Sequence, residues 1–288
     1  MHPHVPVFII GCGDIGSRLA DLCMAQDLAV TALARTPQRA ELLGQRGITA
    51  CPGNLDLAPP TLHLPATIET LVYLAPPPPV GAVDPRITHC LAALPTPPSR
   101  IVYISTSGVY GDAGGRWIDE DHPAAPITER ALRRWNAECQ LQDYAVKHGC
   151  GLVILRVPGI YGKGRLPEAR IREGLPVVLP EEAPWSNRIH ADDLAQACLK
   201  ASLGSVQHGI FNVSDGHPST MTDYFWQVAD HLKLPRPSAI PLDQARQILS
   251  PAMMSFHEES KRLRNDRLRA ILGVDLLYPS LAEGLRAC

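Results

Sequence analysis

Apolar positions along the chain gather first in one short run, Val7 to Ile10, and then recur as Ile15, Leu19, Leu22 and Cys23 at the spacing of one helical face. A β-branched and aromatic run predicts a buried strand, and the helical spacing after it predicts an amphipathic helix. The alternation continues down the chain. Strands are predicted at 29–34, 48–51, 71–75, 101–105 and 152–156, and helices at 38–43, 129–148 and 192–202. Short strands separated by helices imply crossover connections, which make the strands parallel and put helices on both faces of the sheet. The expected fold class is α/β with a doubly wound parallel sheet. Beyond Gly162 the regularity breaks, with Pro, Gly and Arg scattered through 163–186. The expected division is 1–162 as the sheet domain and 163–288 as a smaller lobe, some segments of which return to the sheet.

Between the first strand and the first helix lies Gly11-Cys12-Gly13-Asp14-Ile15-Gly16. This G-x-G-x-x-G arrangement, in strand-turn-helix context, is a dinucleotide-binding fingerprint. Gly11 permits the tight turn, Gly13 lets backbone N–H groups approach a pyrophosphate, and Gly16 lets the helix pack closely on the strand. The amides of Asp14 and Ile15 at the helix start complete the expected cradle. An acidic residue about 20 positions beyond the glycines would grip the ribose 2′-hydroxyl of NAD, whereas an Arg there accommodates a 2′-phosphate. This chain has Arg35, followed by Thr36 and Arg39, with no carboxylate in competition for the ribose, so NADP is expected and NAD possible. Arg35 and Arg39 also read as plain surface charges one helical turn apart. Asn54 and Leu55 are expected to flank the adenine. Leu74, Ala75 and Pro76, where the fourth strand runs into the proline run 76–79, are read as further cofactor contacts on a rigid cleft edge.

Composition narrows the partners. The chain is 45% hydrophobic and 19% charged with a net charge of −2, which offers no general attraction to nucleic acid or to an anionic membrane. A small-molecule substrate is the expected partner, and the location reads as cytoplasmic. The eight cysteines are scattered without a C-x-x-C pair and read as small buried hydrophobes. No metal site is expected, since only His2 and His4 lie close enough together to suggest ligands. The basic stretch 261–269 reads as the charged face of an amphipathic helix whose apolar face is Leu263, Leu268, Ile271 and Leu272.

Several motifs lie outside this pattern: Ser105-Thr106-Ser107-Gly108-Val109-Tyr110-Gly111, Arg156-Val157-Pro158-Gly159-Ile160-Tyr161-Gly162, Ile189-His190-Ala191-Asp192-Asp193, Phe211-Asn212-Val213-Ser214-Asp215 and Ser260-Lys261-Arg262 with Asn265. With the glycine turn, they resemble the extended short-chain dehydrogenase/reductases, the NAD(P)-dependent epimerase/dehydratase-like proteins, and in particular an atypical branch of them. The resemblance covers nearly the whole chain. It implies a Rossmann-type domain, a smaller C-terminal substrate lobe and a cleft between them. It also implies that Thr106 is the Ser/Thr whose hydroxyl holds the reacting oxygen of the substrate. The family's Tyr-x-x-x-Lys pair falls at Arg130 and Arg134, so both usual proton-handling groups are missing. Tyr144 and Lys147 lie too far along the helix and are spaced by three.

A guanidinium stays protonated at working pH, so Arg130 is read as an anchor for a substrate anion. Arg134 and Glu138 also read as an exposed ion pair at i, i+4. Tyr110 and Tyr161, just past the fifth and sixth strands, are the candidate proton carriers, and each also reads as a packing residue. His190 reads as part of a helix cap. Ser186 stands where sugar-nucleotide members commonly place an Arg, and Arg165, Arg170, Arg172 and Arg188 are candidate replacements or a solvated face. Two functions are consistent with these residues. One is an NAD(P)(H)-dependent oxidoreductase or epimerase/dehydratase-like enzyme on a small, polar, anionic substrate. The other is a non-catalytic regulatory or structural protein responsive to NADP(H).

Overall fold

The computed structural model describes residues 7–57, 61–62 and 64–288; His2 and His4 lie outside them. In chain order the first elements are β1 (Val7–Ile10), α1 (Asp14–Met24), β2 (Val30–Ala34), α2 (Pro37–Gly44), β3 (Thr49–Asn54), β4 (Thr61–Leu62), β5 (Thr70–Tyr73) and α3 (Pro85–Ala93). Next come β6 (Arg100–Thr106), a 3-10 turn at Ser107–Tyr110, β7 (Trp117–Ile118), α4 (Glu129–His148), β8 (Gly151–Val157), β9 (Gly159–Tyr161), α5 (Glu168–Arg172), β10 (Val177–Val178), β11 (Trp185–Ser186) and β12 (Arg188–His190). After these come α6 (Ala191–Leu203), β13 (His208–Asn212), β14 (Ser219–Thr220), α7 (Met221–His231), β15 (Ala239–Ile240), α8 (Leu242–Ile248), α9 (Pro251–Met254), β16 (Arg262–Leu263), α10 (Asp266–Ala270) and α11 (Leu281–Arg286).

The central sheet runs β13-β8-β6-β5-β1-β2-β3-β4. Its first seven strands pair in parallel, and β4 joins β3 antiparallel. This is the Rossmann-like parallel sheet that the alternation predicts. Because side chains alternate across a strand, Val7 and Ile9 face a core shared with α1 and α6, while Phe8 and Ile10 face a second core shared with α3 and α4. β6 and β8 are buried almost end to end, as expected of central strands covered on both faces. A third core joins Tyr161, Ile171, Val177, Phe225, Leu281 and Leu285 from the later part of the chain.

Helix α4 shows why the long prediction at 129–148 lands on its ends. The Thr128 side chain accepts the Ala131 amide at the start, and Gly149 closes the helix in the left-handed conformation at φ 65°. The 261–269 expectation is corrected. Arg262–Leu263 is a strand paired with Trp117–Ile118, and helix follows only over Asp266–Ala270. Leu263 and Leu268 are fully buried, but Ile271 is exposed. Asn265, whose side-chain amide donates to Ser214 O, breaks the segment between strand and helix.

Candidate functional site

The carboxyl ends of β1 and β5 meet at the glycine turn. Gly11 has φ +92°, and a Cβ there would lie 2.3 Å from the Ala75 nitrogen. A Cβ on Gly16 would lie 2.8 Å from Gly11 O and 3.3 Å from the side chains of Ile9 and Leu74. These two glycines are required by packing. Gly13 differs: a Cβ there would meet nothing within 4 Å, and as the residue before α1 it gives no side-chain cap to the helix. The start of α1 thus has no side-chain cap, and uncapped amides at a helix start are the groups that receive an anion. Leu74 and Ala75 form the opposite wall by backbone contact with Gly11, and Pro76 O accepts from Arg86 Nη1 at 2.6 Å. Ile15 is buried in the core.

Asp14 ties the turn to the rest of the molecule. Its carboxylate accepts from Arg18 Nε at 2.9 Å and from Arg165 Nε, and Arg18 also pairs with Asp192 at the start of α6. Partial burial opposes ionisation of Asp14, but the Arg165 and Arg18 contacts outweigh it and hold the carboxyl below the usual range.

Around Arg35, the absence of a competing carboxylate is corrected. Asp56 Oδ2 lies 3.4 Å from Arg35 Nη1. Asp56 also pairs with Arg86 Nε at 2.6 Å, so its charge is already shared, and the Arg35 side chain remains 66% exposed. Arg39 is not a free surface charge, because its guanidinium donates to Cys12 O in the glycine turn. Asn54 Oδ1 accepts the Asp56 amide, and Leu55 is buried with its carbonyl 2.8 Å from His89 Nδ1.

A cleft of about 420 Å³ opens where β6 ends, and Thr106, Gly108, Arg130, Arg188, Glu259 and Lys261 are among its lining residues. Thr106 Oγ1 caps the 3-10 turn by accepting the Gly108 amide at 3.2 Å. Arg130 packs its guanidinium 4.2 Å over the Phe256 ring. Residues 259–261 are held onto the segment after Thr106. The amides of Ala113 and Gly115 donate to Ser260 O, the Ser260 amide donates to Asp112, and Lys261 Nζ donates to Gly111 O at 2.6 Å. Lys261 Nζ also lies 2.5 Å from Glu259 Oε2, while Glu259 Oε1 is buried without a hydrogen-bond partner. Sequence spacing gave no signal for Glu259 as a cleft residue, because it arrives from a strap remote in the chain.

Both tyrosine candidates are corrected. Tyr110 is fully buried and donates to Asn212 Oδ1 at 2.8 Å, with burial pushing its hydroxyl up to about 12. Tyr161 lines the cleft, but its hydroxyl donates to Ser280 O at 3.2 Å, and burial raises its pKa further still. Neither hydroxyl is presented to Thr106.

The exposed Arg134–Glu138 pair is corrected as well. Arg134 donates to Ile104 O at 2.9 Å and toward Ala75 O at 3.4 Å, lying across the ends of β6 and β5. Glu138 is fully buried, takes Ser105 Oγ, and pairs with Arg156 at 2.7 Å. His190 does cap α6, its Nδ1 accepting the Asp192 amide at 3.2 Å. Of the four replacement arginines, Arg188 alone lines the cleft. Arg165 binds Asp14, Arg170 packs on Phe225 and Arg172 pairs with Glu168. Among the described residues no cluster of His, Cys, Asp and Glu could hold a metal ion, and no helix is long and apolar enough to cross a membrane.

Residues 85–214 match the NAD dependent epimerase/dehydratase family. A dTDP-D-glucose 4,6-dehydratase of Mus musculus is 34% identical over 83 residues, covering 28% of this chain and 23% of that protein. The matched stretches span less than half the length of the curated relatives. A functionally unknown conserved protein from Silicibacter pomeroyi DSS superposes with a TM-score of 0.79 at 29% identity, over 98% of this chain and 97% of that one. MoeE5 in complex with UDP-glucose and NAD shares the fold, with a TM-score of 0.73 at 22% identity over 98% of this chain and 96% of its own.

Proposed function

We propose that this chain, which belongs to the NAD-dependent epimerase/dehydratase family of the extended short-chain dehydrogenase/reductases, is an oxidoreductase or epimerase acting on a small polar substrate. NADP(H) is its preferred cofactor, and it works without the family's Tyr/Lys pair. The observation that carries the reading is Gly13, open on its Cβ side at the uncapped start of α1. Those amides would hold the pyrophosphate, with Leu74, Ala75 and Pro76 as the facing wall and Asn54 and Leu55 toward the adenine. Arg35, exposed and only loosely engaged by Asp56, is the group for a 2′-phosphate. The bound nicotinamide supplies a carbon that gives or accepts a hydride.

The chain's own residues do the rest. Thr106 orients the substrate oxygen from the end of β6. Arg130, fixed as a cation, neutralises a substrate charge and holds it in the cleft. With the Tyr110 and Tyr161 hydroxyls engaged elsewhere, proton transfer passes to Glu259, a carboxylate among the cleft-lining residues whose Oε1 is buried and has no hydrogen-bond partner. Lys261, anchored on Gly111 O, holds the other oxygen and fixes the carboxylate's orientation.

A panel of hydroxy- and keto-acids and sugar derivatives, followed through NADPH absorbance, tests the reading once nucleotide binding is in hand. Thr106→Val and Glu259→Gln should each lower turnover by about a hundredfold or more while nucleotide affinity stays at the wild-type value. Undiminished turnover in Thr106→Val would remove its assigned role. The second reading, a non-catalytic NADP(H)-responsive regulator, is favoured by the two arginines at the Tyr and Lys positions. Nucleotide-dependent capture of one partner, with no cofactor oxidation across the panel, would select it.

A further inference from the structure

We infer that the cleft recognises its substrate by an oxyanion, a carboxylate or a phosphate monoester, with Arg188 as the anchor and Arg130 as the second cation. The inference rests on the reading of this cleft as the substrate site and names the chemical class that it takes. Arg188 is 6% exposed, yet it makes no ion pair among the described residues. Its Nη1 donates to Ser186 Oγ at 2.8 Å, its Nη2 meets only the Met221 sulfur at 3.7 Å, and its Cζ lies 3.9 Å from the centre of the Tyr224 ring. A buried guanidinium needs acceptors, because its desolvation is costly and its charge cannot be shed.

The other buried arginines have such acceptors. Arg156 has Glu138, and Arg100 has the carbonyls of Ala201 and Ser202. Arg188 has a hydroxyl, a thioether and a ring, and it lines an open cleft.

Charge balance in the cleft points the same way. Arg130 lines the same cleft with the Phe256 ring as its neighbour and without an ion pair among the described residues. Lys261 and Glu259 neutralise each other at 2.5 Å. Asp215, whose charge acts on Arg188, makes no ion pair with it, and burial raises its own pKa to about 6. The lining thus keeps two cations with no paired anion. The Tyr224 ring lies 3.9 Å from Arg188 Cζ and the Phe256 ring 4.2 Å from Arg130 Cζ, and a guanidinium supported on a ring keeps N–H groups for two-pronged contact with a carboxylate or with two phosphate oxygens. The substrate's charged end is expected at Arg188 and its reacting hydroxyl toward Thr106 and Glu259, which line the same cleft.

The test is calorimetric titration of the full chain with inorganic phosphate and, separately, with malonate. Ionic strength is held constant with chloride, and saturating NADPH occupies the glycine turn. Saturable binding of at least one anion is expected, weakened about tenfold or more in Arg188→Met and in Arg130→Gln, and the better ligand distinguishes phosphate from carboxylate. Arg188 is buried, so its substitution tests folding as well. Arg130→Gln sits at a half-buried helix position and provides the independent arm, with NADPH affinity measured on the same samples as the control. Retained NADPH binding with lost anion binding supports the anchor. Anion binding that depends on Arg188 in a protein that does not bind NADPH would sink the cofactor assignment and leave this inference standing. No saturable binding of either anion to the wild type, or equal binding in both variants, overturns it.

Discussion

A methyl group added at Gly11 would lie 2.3 Å from the Ala75 nitrogen, whereas one added at Gly13 would meet nothing within 4 Å. Gly11→Ala should therefore destabilise the fold by about 3 kcal/mol or more, through clash and through the strain of a side chain at positive φ. Gly13→Ala should cost no more than about 1 kcal/mol and yet weaken nucleotide binding tenfold or more. Thermal melts beside titrations separate the two. Asp215 carries a pH prediction. Burial raises its carboxyl from 3.8 to about 6, with Oδ2 left unpartnered. The folded state thus holds this proton more tightly than the unfolded chain does. The associated stability is full below about pH 4 and is lost as pH rises through 6, up to about 3 kcal/mol. Relative to wild type, Asp215→Asn should gain that amount between pH 4 and pH 7.5 in denaturant titrations. A pH-independent difference would show that the shift is absent. The glycine turn was legible because each glycine answers a local backbone demand. Glu259 and Asp56 were not legible, since both acquire their roles from contacts made only after distant segments meet.

At the scale of elements, the long helix α4 is joined to β8 by a charged pair inside the core. Glu138 is fully buried and Arg156 is 3% exposed, and they are joined at 2.7 Å. Removing one charge strands the other in a medium that cannot solvate it. Glu138→Gln should destabilise by about 3 kcal/mol, read by denaturant midpoint, while a double replacement by apolar residues of matched size should recover much of that loss. Equal stability of Glu138→Gln and wild type would show the pair to be energetically idle. The strongly periodic elements, α1, α4 and the buried strands, were legible to within a residue or two. β13 was not, because Gly209 interrupts a short run at the sheet edge, where packing rather than pattern decides. The stretch 261–269 reads as helix by spacing alone, and the pairing of Arg262–Leu263 with Trp117–Ile118 outweighs that local preference at its start.

Across the whole molecule, ion pairs fasten the glycine turn to later parts of the chain. Asp14 reaches Arg165, and Arg18 reaches Asp192 at the start of α6. The buried Asp193 beside it accepts the amides of Leu277 and Tyr278, so α6 also fixes the segment leading to α11. The turn, the start of α6 and the segment leading to α11 are thereby connected. The turn is expected to be a working nucleotide site with a preference for the 2′-phosphate. The most direct test is calorimetric titration of the wild type, Gly13→Ala and Arg35→Ala with NADPH and with NADH. Micromolar NADPH binding is expected, with weaker NADH binding, loss of both in Gly13→Ala, and loss of the NADPH preference alone in Arg35→Ala. Absence of binding by either nucleotide, or affinities unchanged by Gly13→Ala, would contradict it.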